Sequence, residues 1–463
     1  MSSYTDNRAL LNHLYCVDYK AAQIRPRQPQ RGTSQWIFAD PTYVSWLNSC
    51  RPSMLMLTGQ PGTGKTVLTR CLLDSILSGG GGEQQSSAGY LGINFFCSYL
   101  ESAINSEEAV LRSLLHQLVQ LNPHCAQIIR NRLEVRTNTG LSISLKVHLL
   151  WSALSEVLSM HAMKRIFIII DAIEELGTEI AVSILSGLWQ IVQDLGQTYP
   201  ESRLRVFVSS RHNPVYSSAL PNLTILSMRN PQMQRDINAY LQAVVEDFAA
   251  ENGAFDAVAS KATKQNIITQ IARISNGMFL SAVLAWEDFR KGILWNQDMV
   301  ARKLEKLVSI RPGMTAFYDR MVNSINESTR DDAFSIFSIL AAAATPLSET
   351  EIGIILGICT SSGVIVRSTD FQPFRNLNDI IERSFPDLIT VQDDNKLTFV
   401  HLSFREYLQN REDFQAILHS GYRNIAWSCL KYLRLKDLLQ DACDRRSRAG
   451  MLPTHVLNLI AVN

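Results

Sequence analysis

The chain has 463 residues, which at about 150 residues per domain predicts roughly three domains. Hydrophobic residues make up 46% and charged residues 19%, a globular composition that excludes a disordered chain. The formal net charge of +1 lacks the basic excess of a dedicated nucleic-acid binder and disfavours a nucleic-acid partner.

The chain begins without an apolar signal segment, and its longest uncharged apolar stretches are at residues 333–348 and 352–366. Both are shorter than the about 20 residues that a membrane helix needs. The eight cysteines form no CxxC pair or Cys/His metal spacing, which indicates reduced thiols and no zinc site. The sequence therefore predicts a cytoplasmic protein without a membrane segment.

The first half of the chain alternates strand and helix patterns after a polar start with a loop at residues 24–36. Apolar, β-branched runs predict strands at residues 54–58, 90–97, 165–170, 204–208 and 223–227. Apolar residues at helical spacing predict helices between them, at residues 67–77, 107–119 and 147–158. A glycine-rich flexible loop is predicted at residues 78–89. The alternation predicts a parallel α/β layer over residues 50–230.

The strand pattern stops after residue 230. Residues 231–325 are mostly helical in pattern, with a turn at residues 275–280. Further on, the pattern predicts two helices around a turn at residues 345–348, then a short strand at 397–400 that leads into a final helix. No internal repeat is visible.

The strongest motif is GQPGTGKT, residues 59–66, between a predicted strand and a predicted helix. In this phosphate-loop pattern, glycines let the backbone wrap a phosphate, the lysine reaches the β- and γ-phosphates, and the hydroxyl of Thr66 binds Mg²⁺. The predicted nucleotide-binding residues here are Gly59, Gly62, Thr63, Gly64, Lys65, Thr66 and Val67.

Acidic residues follow the most apolar predicted strand. Asp171 ends that strand, where a phosphate-loop protein keeps the carboxylate that supports Mg²⁺. Glu174 and Glu175 come just after it. We expect Glu175 to polarise the attacking water as a general base, with Glu174 in support. The alternative is that both glutamates belong to a solvated loop or helix start.

Two further positions are candidates. Arg211 follows a buried strand and is predicted to reach the γ-phosphate and stabilise the transition state; alone, it reads equally as a surface arginine. The apolar segment 36–47 lies just ahead of the phosphate loop and is a candidate for the base pocket. The residues around His401 indicate by themselves only a helix cap or a core position.

These motifs, in this order, resemble the NACHT branch of the STAND signal-transduction ATPases, and among them fungal members with a nephrocystin-like N-terminal NTPase region. The resemblance rests on the phosphate loop, IFIIIDAIEEL, VFVSSR, NGMFL and VHLSFREYL, and covers residues 15–433. It implies an α/β P-loop NTPase with a parallel sheet and flanking helices, followed by a helical domain and a winged-helix domain.

The resemblance also implies domain limits. The expected parts are an N-terminal segment at 1–49, a nucleotide-binding domain at 50–230, a helical domain at 231–325, a winged-helix domain at 326–410 and a helical segment at 411–463. In such proteins a histidine at the position of His401 contacts the β-phosphate of ADP and holds the inactive state.

The resemblance implies a signalling switch that binds ATP or ADP with Mg²⁺ and hydrolyses ATP slowly, as a weak ATPase. It is closed with ADP and becomes open and homo-oligomeric with ATP; its protein partners are unknown. Glu174 stands where the family usually has aspartate, and no effector domain or repeat module is visible in the sequence. The alternative is therefore a scaffold that binds nucleotide without hydrolysis, or a truncated core that acts through protein interactions.

Two other function classes are disfavoured. A winged-helix DNA-binding regulator would be expected to carry a basic excess, which the chain lacks. A small-molecule kinase would need an acceptor site, and none is evident in the sequence.

Overall fold

The computed structural model describes most of the chain. The described residues are 2–16, 30, 32–77, 90–98, 105–137, 140–161, 165–220, 222–228, 230–292, 295–310, 312–361, 363–375, 377–385, 388–392 and 395–435. The predicted loop at 78–89 and the first part of the predicted loop at 24–36 lie outside them. The described residues divide into two compact units, the first up to residue 313 and the second from 314 to 435.

A five-stranded parallel sheet is the centre of the first unit, with strand order β2-β5-β6-β1-β7. Its strands are β1 (Ser53–Thr58), β2 (Tyr90–Phe96), β5 (Arg165–Asp171), β6 (Arg203–Ser210) and β7 (Thr224–Ser227). All five lie where apolar runs predict them. The α/β class with a parallel sheet and flanking helices is therefore confirmed.

Helices cover both faces of this sheet. They are α1 (Ser2–Leu14), α2 (Pro41–Asn48), α3 (Lys65–Leu77), α4 (Glu107–Leu121), α5 (Cys125–Leu133), α6 (Val147–Met160), α7 (Thr178–Thr198) and α8 (Pro214–Ala219). Along β1, Met54 and Met56 belong to one core cluster and Leu55 and Leu57 to another. Successive side chains of a strand point to opposite faces, so the near-continuous apolar runs supply two cores at once.

A small hairpin of β3 (Glu134–Thr137) and β4 (Gly140–Ile143) interrupts the α/β alternation, and the sequence analysis did not predict it. Each strand has four residues of mixed polarity. Such short segments carry too weak a periodic signal for assignment.

Helices form the rest of the first unit: α9 (Asn230–Glu251), α10 (Gly253–Val258), α11 (Lys261–Ser275), α12 (Phe279–Arg290) and α13 (Gln297–Ser309). The predicted turn at 275–280 joins α11 to α12. Asn276 and Gly277 occupy the left-handed region there, with φ of 47° and 79°. An Asn-Gly pair is suited to this conformation, which explains why α11 ends where it does.

The second unit combines six helices with a three-stranded antiparallel sheet of order β8-β10-β9, counted over its described residues. The helices are α14 (Met314–Asn323), α15 (Glu327–Ala342), α16 (Glu349–Thr360), α17 (Leu377–Ser384), α18 (Leu402–Gln409) and α19 (Glu412–Leu433). The strands are β8 (Leu347–Ser348), β9 (Ile389–Val391) and β10 (Lys396–Phe399). From α15 to β10 the order is helix, strand, helix, helix, strand, strand.

Helix α14 groups with the second unit, and the division between the two units falls at residue 313. The expected domain limits, including the one at 325, stay predictions. The strands β8 and β9 were not predicted, because their two and three residues show no distinct pattern. Over the described residues, no helix has both the length and the apolar character that a membrane span requires.

Candidate functional site

The loop that follows β1 has a backbone that requires its glycines. Gly62 and Gly64 have φ of 73° and 92°, in the left-handed region that other residues rarely adopt. The Gly59 amide donates to the Ser210 carbonyl at 3.2 Å, which ties the start of the loop to the end of β6. The loop ends at the first turn of α3, and a helix N-terminus favours bound anions.

Lys65 is buried inside this loop, with 8% of its surface exposed. Its Nζ donates to the carbonyls of Gly59 at 3.0 Å and Gln60 at 3.1 Å. Burial lowers the pKa of the ammonium, and the nearby Glu174 carboxylate opposes that shift. Because the charge is desolvated, its attraction for a phosphate is stronger than that of a surface lysine.

Asp171 ends β5 and is 1% exposed. Its Oδ1 accepts a hydrogen bond of 2.5 Å from Ser209 Oγ. The carboxyl ends of parallel strands meet at the same edge of a sheet, which is also the edge from which the loop leaves β1. The structure therefore brings the predicted Mg²⁺-supporting carboxylate to the edge that carries the phosphate loop.

Glu174 and Arg211 lie together at this edge. Glu174 Oε1 is 3.4 Å from Arg211 Nε, and both side chains are mostly buried. Burial raises the pKa of the Glu174 carboxyl, although Lys65 and Arg211 oppose the rise. Its Oε2 is buried without a hydrogen-bond partner in the described part of the chain. An orphaned oxygen beside two cations fits a site that takes up a polar ligand.

Glu175 lies beside Glu174 on a 3₁₀ helix (Ile173–Leu176) that directly follows β5. It is half-buried, and its carboxylate contributes to the electrostatic environment of Lys65. Cys97, at the end of β2, is also near these carboxylates, and burial raises the pKa of its thiol well above the ordinary value. A raised pKa disfavours the reactive thiolate form of this cysteine.

The donor set fits a magnesium ion bound together with a nucleotide. Mg²⁺ prefers oxygen ligands and usually combines one or two protein groups with phosphate oxygens and water. Thr66, in the first turn of α3, and Asp171 supply such oxygens. The described residues contain no cluster of three or more His, Cys, Asp or Glu side chains suited to a metal, and a phosphate-loop ion needs none.

Packing explains much of the segment 36–47. It comprises a 3₁₀ helix (Gln35–Ala39) and α2, and Ile37, Tyr43 and Trp46 are buried in the core beside β1. The Trp46 indole donates to the Ser53 carbonyl at 3.3 Å. Trp46 is therefore a packing residue, and the role of the segment in binding a base stays a prediction.

A buried carboxylate joins the same segment to the helical part of the unit. Asp236 Oδ2, on α9, accepts from the Ser34 amide at 3.0 Å and from the Trp36 indole at 3.1 Å. Burial raises the pKa of Asp236, and these two bonds oppose the rise. Sequence patterns gave no signal for this contact, because the partners are about 200 residues apart.

The phosphate loop also has a neighbour that the sequence patterns did not indicate. The Leu280 amide donates to the Gly62 carbonyl at 2.9 Å, and a Cβ on Gly64 would lie 3.9 Å from the Cβ of Phe279. The start of α12 therefore contacts the loop directly. The Asn-Gly turn before α12 was visible in the sequence, but a turn does not indicate its tertiary contacts.

His401 belongs to the second unit, where it caps α18. Its Nδ1 accepts from the Ser403 amide at 3.0 Å and lies 2.8 Å from Ser403 Oγ. Ser403 Oγ is in turn 2.8 Å from the hydroxyl of Tyr318, whose pKa burial raises to about 12. A backbone amide can only donate, so Nδ1 carries no proton and the neutral ring has its N–H at Nε2. This N–H suits an anionic partner; the phosphate role of His401 stays a prediction.

Two sequence comparisons match this chain to known proteins. Residues 32–211 match the family model described as Nephrocystin 3, N-terminal, a range that includes the phosphate loop and ends at Arg211. Vegetative incompatibility protein HET-E-1 of Podospora anserina is 25% identical over 329 residues, which are 68% of this chain and 22% of that protein. The match thus spans about a fifth of the length of that relative.

Solved structures give more distant likenesses. The ORC2 protein of Aeropyrum pernix, solved in its ADPNP-ADP complexes, is 11% identical with a TM-score of 0.36, over 87% of this chain and 98% of that one. A STAND protein with a tetratricopeptide repeat sensor from Pyrococcus horikoshii is 12% identical with a TM-score of 0.31, over 89% of this chain and 50% of that one. At these low TM-scores the solved structures carry no argument. The assignment of the fold rests on the parallel sheet of this chain, on its phosphate loop and on the two sequence matches.

Proposed function

We propose, from the membership of this chain in the NACHT-type STAND P-loop NTPases with a nephrocystin-like N-terminal region, that it is a nucleotide-dependent switch. It binds ATP and ADP with Mg²⁺, hydrolyses ATP slowly, and changes between a closed ADP state and an open, self-associated ATP state. One observation carries the proposal: the ammonium of Lys65 is buried inside a loop whose glycines have positive φ, at the sheet edge that also holds Asp171.

This geometry supports nucleotide binding. The backbone of Gly62 and Gly64 wraps the phosphates, and Lys65 exchanges its bonds to two loop carbonyls for charge-assisted bonds to phosphate oxygens. Asp171 and Thr66 would hold Mg²⁺, which supplies charge neutralisation between the phosphates when bound. Gly59, Thr63 and Val67 complete the proposed set of nucleotide-binding residues.

Hydrolysis needs a base and a stabilising cation. We assign the base role to Glu175, half-buried just beyond β5, where it can take a proton from the attacking water. Arg211 follows β6 at the same edge and is available to a developing negative charge on the γ-phosphate. Because Arg211 contacts Glu174, it must either break that contact or interact with both the Glu174 carboxylate and the γ-phosphate. This requirement supports slow turnover.

The switching part of the proposal concerns the second unit. From α15 to β10 its elements run helix, strand, helix, helix, strand, strand, and the three strands form one antiparallel sheet, an order that supports a winged-helix domain. His401, with an N–H at Nε2, is proposed as the group that senses ADP and favours the closed state. Signalling to a protein partner is part of the proposal, and the chemistry of that partner is open.

A binding-only role is the second candidate, and one observation favours it. The pairing of Arg211 with Glu174 gives Arg211 an anionic partner within the chain itself. If that pair persists with ATP bound, nucleotide would act as a structural ligand without turnover. The two candidates share the same loop; they differ in hydrolysis and in the change of state that is proposed to accompany it.

The proposal is tested by titrating ADP and Mg²⁺ into the full chain and its Lys65→Ala variant. Loss of a desolvated charge-assisted contact of about 3 kcal/mol weakens binding by about 100-fold. Lys261→Ala, which removes an exposed lysine from the start of α11, is the matched control and should bind as the wild type does. Retained affinity in Lys65→Ala would reject the phosphate-loop assignment.

A further inference from the structure

Ser209 makes two hydrogen bonds at the sheet edge and is fully buried. Its Oγ donates to Asp171 Oδ1 at 2.5 Å and accepts from the Ala172 amide at 2.8 Å. A hydroxyl has one proton to donate, so both bonds have a fixed direction.

The second bond holds a strained turn. Ala172 has φ of 53°, in the left-handed region that residues with a Cβ rarely adopt. The Ala172 amide would otherwise be a buried donor at the point where β5 turns into the 3₁₀ helix of Glu174 and Glu175. One hydroxyl therefore orients the Asp171 carboxylate and fixes the backbone that leads to both glutamates.

Strand pairing explains why Ser209 can do this. The β5–β6 register pairs Ile170 with Val208, so the next residues along, Asp171 and Ser209, are neighbours at the ends of the two strands. Ser209 lies two residues before Arg211 on the same strand. The hydroxyl thus couples the two strand ends that carry the proposed acidic and cationic groups.

We propose that Ser209 is the positioning residue of this acidic edge: it holds Asp171 Oδ1 so that the other carboxylate oxygen, Oδ2, faces the Mg²⁺ of a bound nucleotide. This inference rests on the proposed nucleotide binding. It adds a residue that contacts the ligand only through Asp171. Groups that orient a metal ligand commonly change metal affinity by about 10- to 100-fold when removed.

The test is calorimetric titration of ADP into the full chain at a series of Mg²⁺ concentrations, with Ser209→Ala beside the wild type. We expect unchanged ADP affinity without Mg²⁺, because the phosphate loop is intact. The Mg²⁺ concentration that gives half of the metal-dependent gain in affinity should rise by about 10- to 100-fold. Ser209→Thr keeps the hydroxyl and should restore the wild-type value.

Ser113→Ala is the matched control, because it also removes a buried serine hydroxyl but lies on α4, outside the strand ends and loop of the site. It should leave the Mg²⁺ requirement unchanged. If Ser209→Ala fails to fold, Ser209→Cys keeps a group on Cβ with a weak S–H donor, and the same shift is expected in reduced size.

An unchanged Mg²⁺ requirement in Ser209→Ala or Ser209→Cys, with ADP binding intact, would overturn the role of Ser209 alone. A uniform loss of affinity with and without Mg²⁺ would also overturn it, since a merely structural role would weaken both. If the wild type binds no ADP under any condition, the proposed nucleotide binding fails, and this inference fails with it.

Discussion

The two regions with proposed phosphate contacts hold their main side chains in different ways. In the first unit, backbone geometry positions these side chains: two glycines with positive φ shape the loop, and adjacent strand ends carry Asp171 and Arg211. In the second unit, other side chains position the proposed group. Ser403 orients His401, and Ser403 is in turn contacted by Tyr318, which lies 85 positions away in the sequence. A short sequence motif determines the loop arrangement of the first unit, whereas the arrangement around His401 depends on tertiary packing.

This difference predicts different consequences of mutation. Removing Lys65 or Glu175 from the first unit should strongly weaken binding or chemistry, because the backbone leaves no alternative donor or acceptor in its place. Changing His401 should adjust the balance between two states, because its ring donates one hydrogen bond. Variants of Glu175, His401 and Glu174 separate these two kinds of effect.

Glu175→Gln should lower the rate of ATP hydrolysis by about 10²- to 10⁴-fold, the usual contribution of a positioned general base. Affinity for ADP should stay at the wild-type value, because the phosphate loop is unchanged. Single-turnover hydrolysis of labelled ATP measures the rate. Glu179→Gln removes an exposed glutamate from the first turn of α7 and serves as the control. Turnover unchanged by Glu175→Gln would remove Glu175 as the base.

His401→Asn and His401→Gln separate the cap of α18 from the ring N–H. Asparagine keeps the acceptor for the Ser403 amide but lacks the donor at Nε2, so ADP should dissociate about 10-fold faster, with little change in stability. Glutamine has an N–H donor at the end of its longer side chain, but it loses the acceptor that caps α18. Loss of the cap should lower the free energy of unfolding by about 1 kcal/mol.

Stopped-flow release of a fluorescent ADP analogue and urea unfolding measure these two quantities. If both variants release ADP at the wild-type rate, His401 is a helix cap and nothing more. In that case the contrast between the two regions would become one between a ligand site and a purely structural one.

Glu174→Gln should give the smallest effect, and it depends on pH. The folded chain raises the pKa of this carboxyl above its unfolded value, so its contribution to stability is full below the unfolded pKa and is lost as the pH rises through the folded pKa. The neutral glutamine should therefore raise the free energy of unfolding near pH 7, and the gain should shrink as the pH falls toward the ordinary glutamate pKa of about 4.3. Urea unfolding across this range tests it, and a loss of stability near pH 7 would contradict it.

Sequence patterns could predict the parts of the molecule that depend on local signals. The five strands of the main sheet are near-continuous apolar runs, and the loop from Gly59 to Thr66 is a fixed pattern between a strand and a helix. The β3–β4 hairpin and β9 escaped prediction, because strands of three or four residues carry little periodicity.

The unpredicted parts of the site are tertiary contacts. In the sequence, Ser209 cannot be told from any other small residue of a strand. Only the pairing of β6 with β5 brings it into contact with Asp171. The Leu280 contact with Gly62 joins segments more than 200 residues apart, so no local window contains both partners. Asp236 and Trp36 meet in the same way.

The central claim is that the loop and strand ends of the first unit hold a nucleotide. The most direct test is to purify the full chain, denature it, and identify any released nucleotide by chromatography. The account predicts near-stoichiometric ADP, or uptake of ATP or ADP with Mg²⁺ by a sample that releases none. A chain that releases no nucleotide and takes up neither would contradict it.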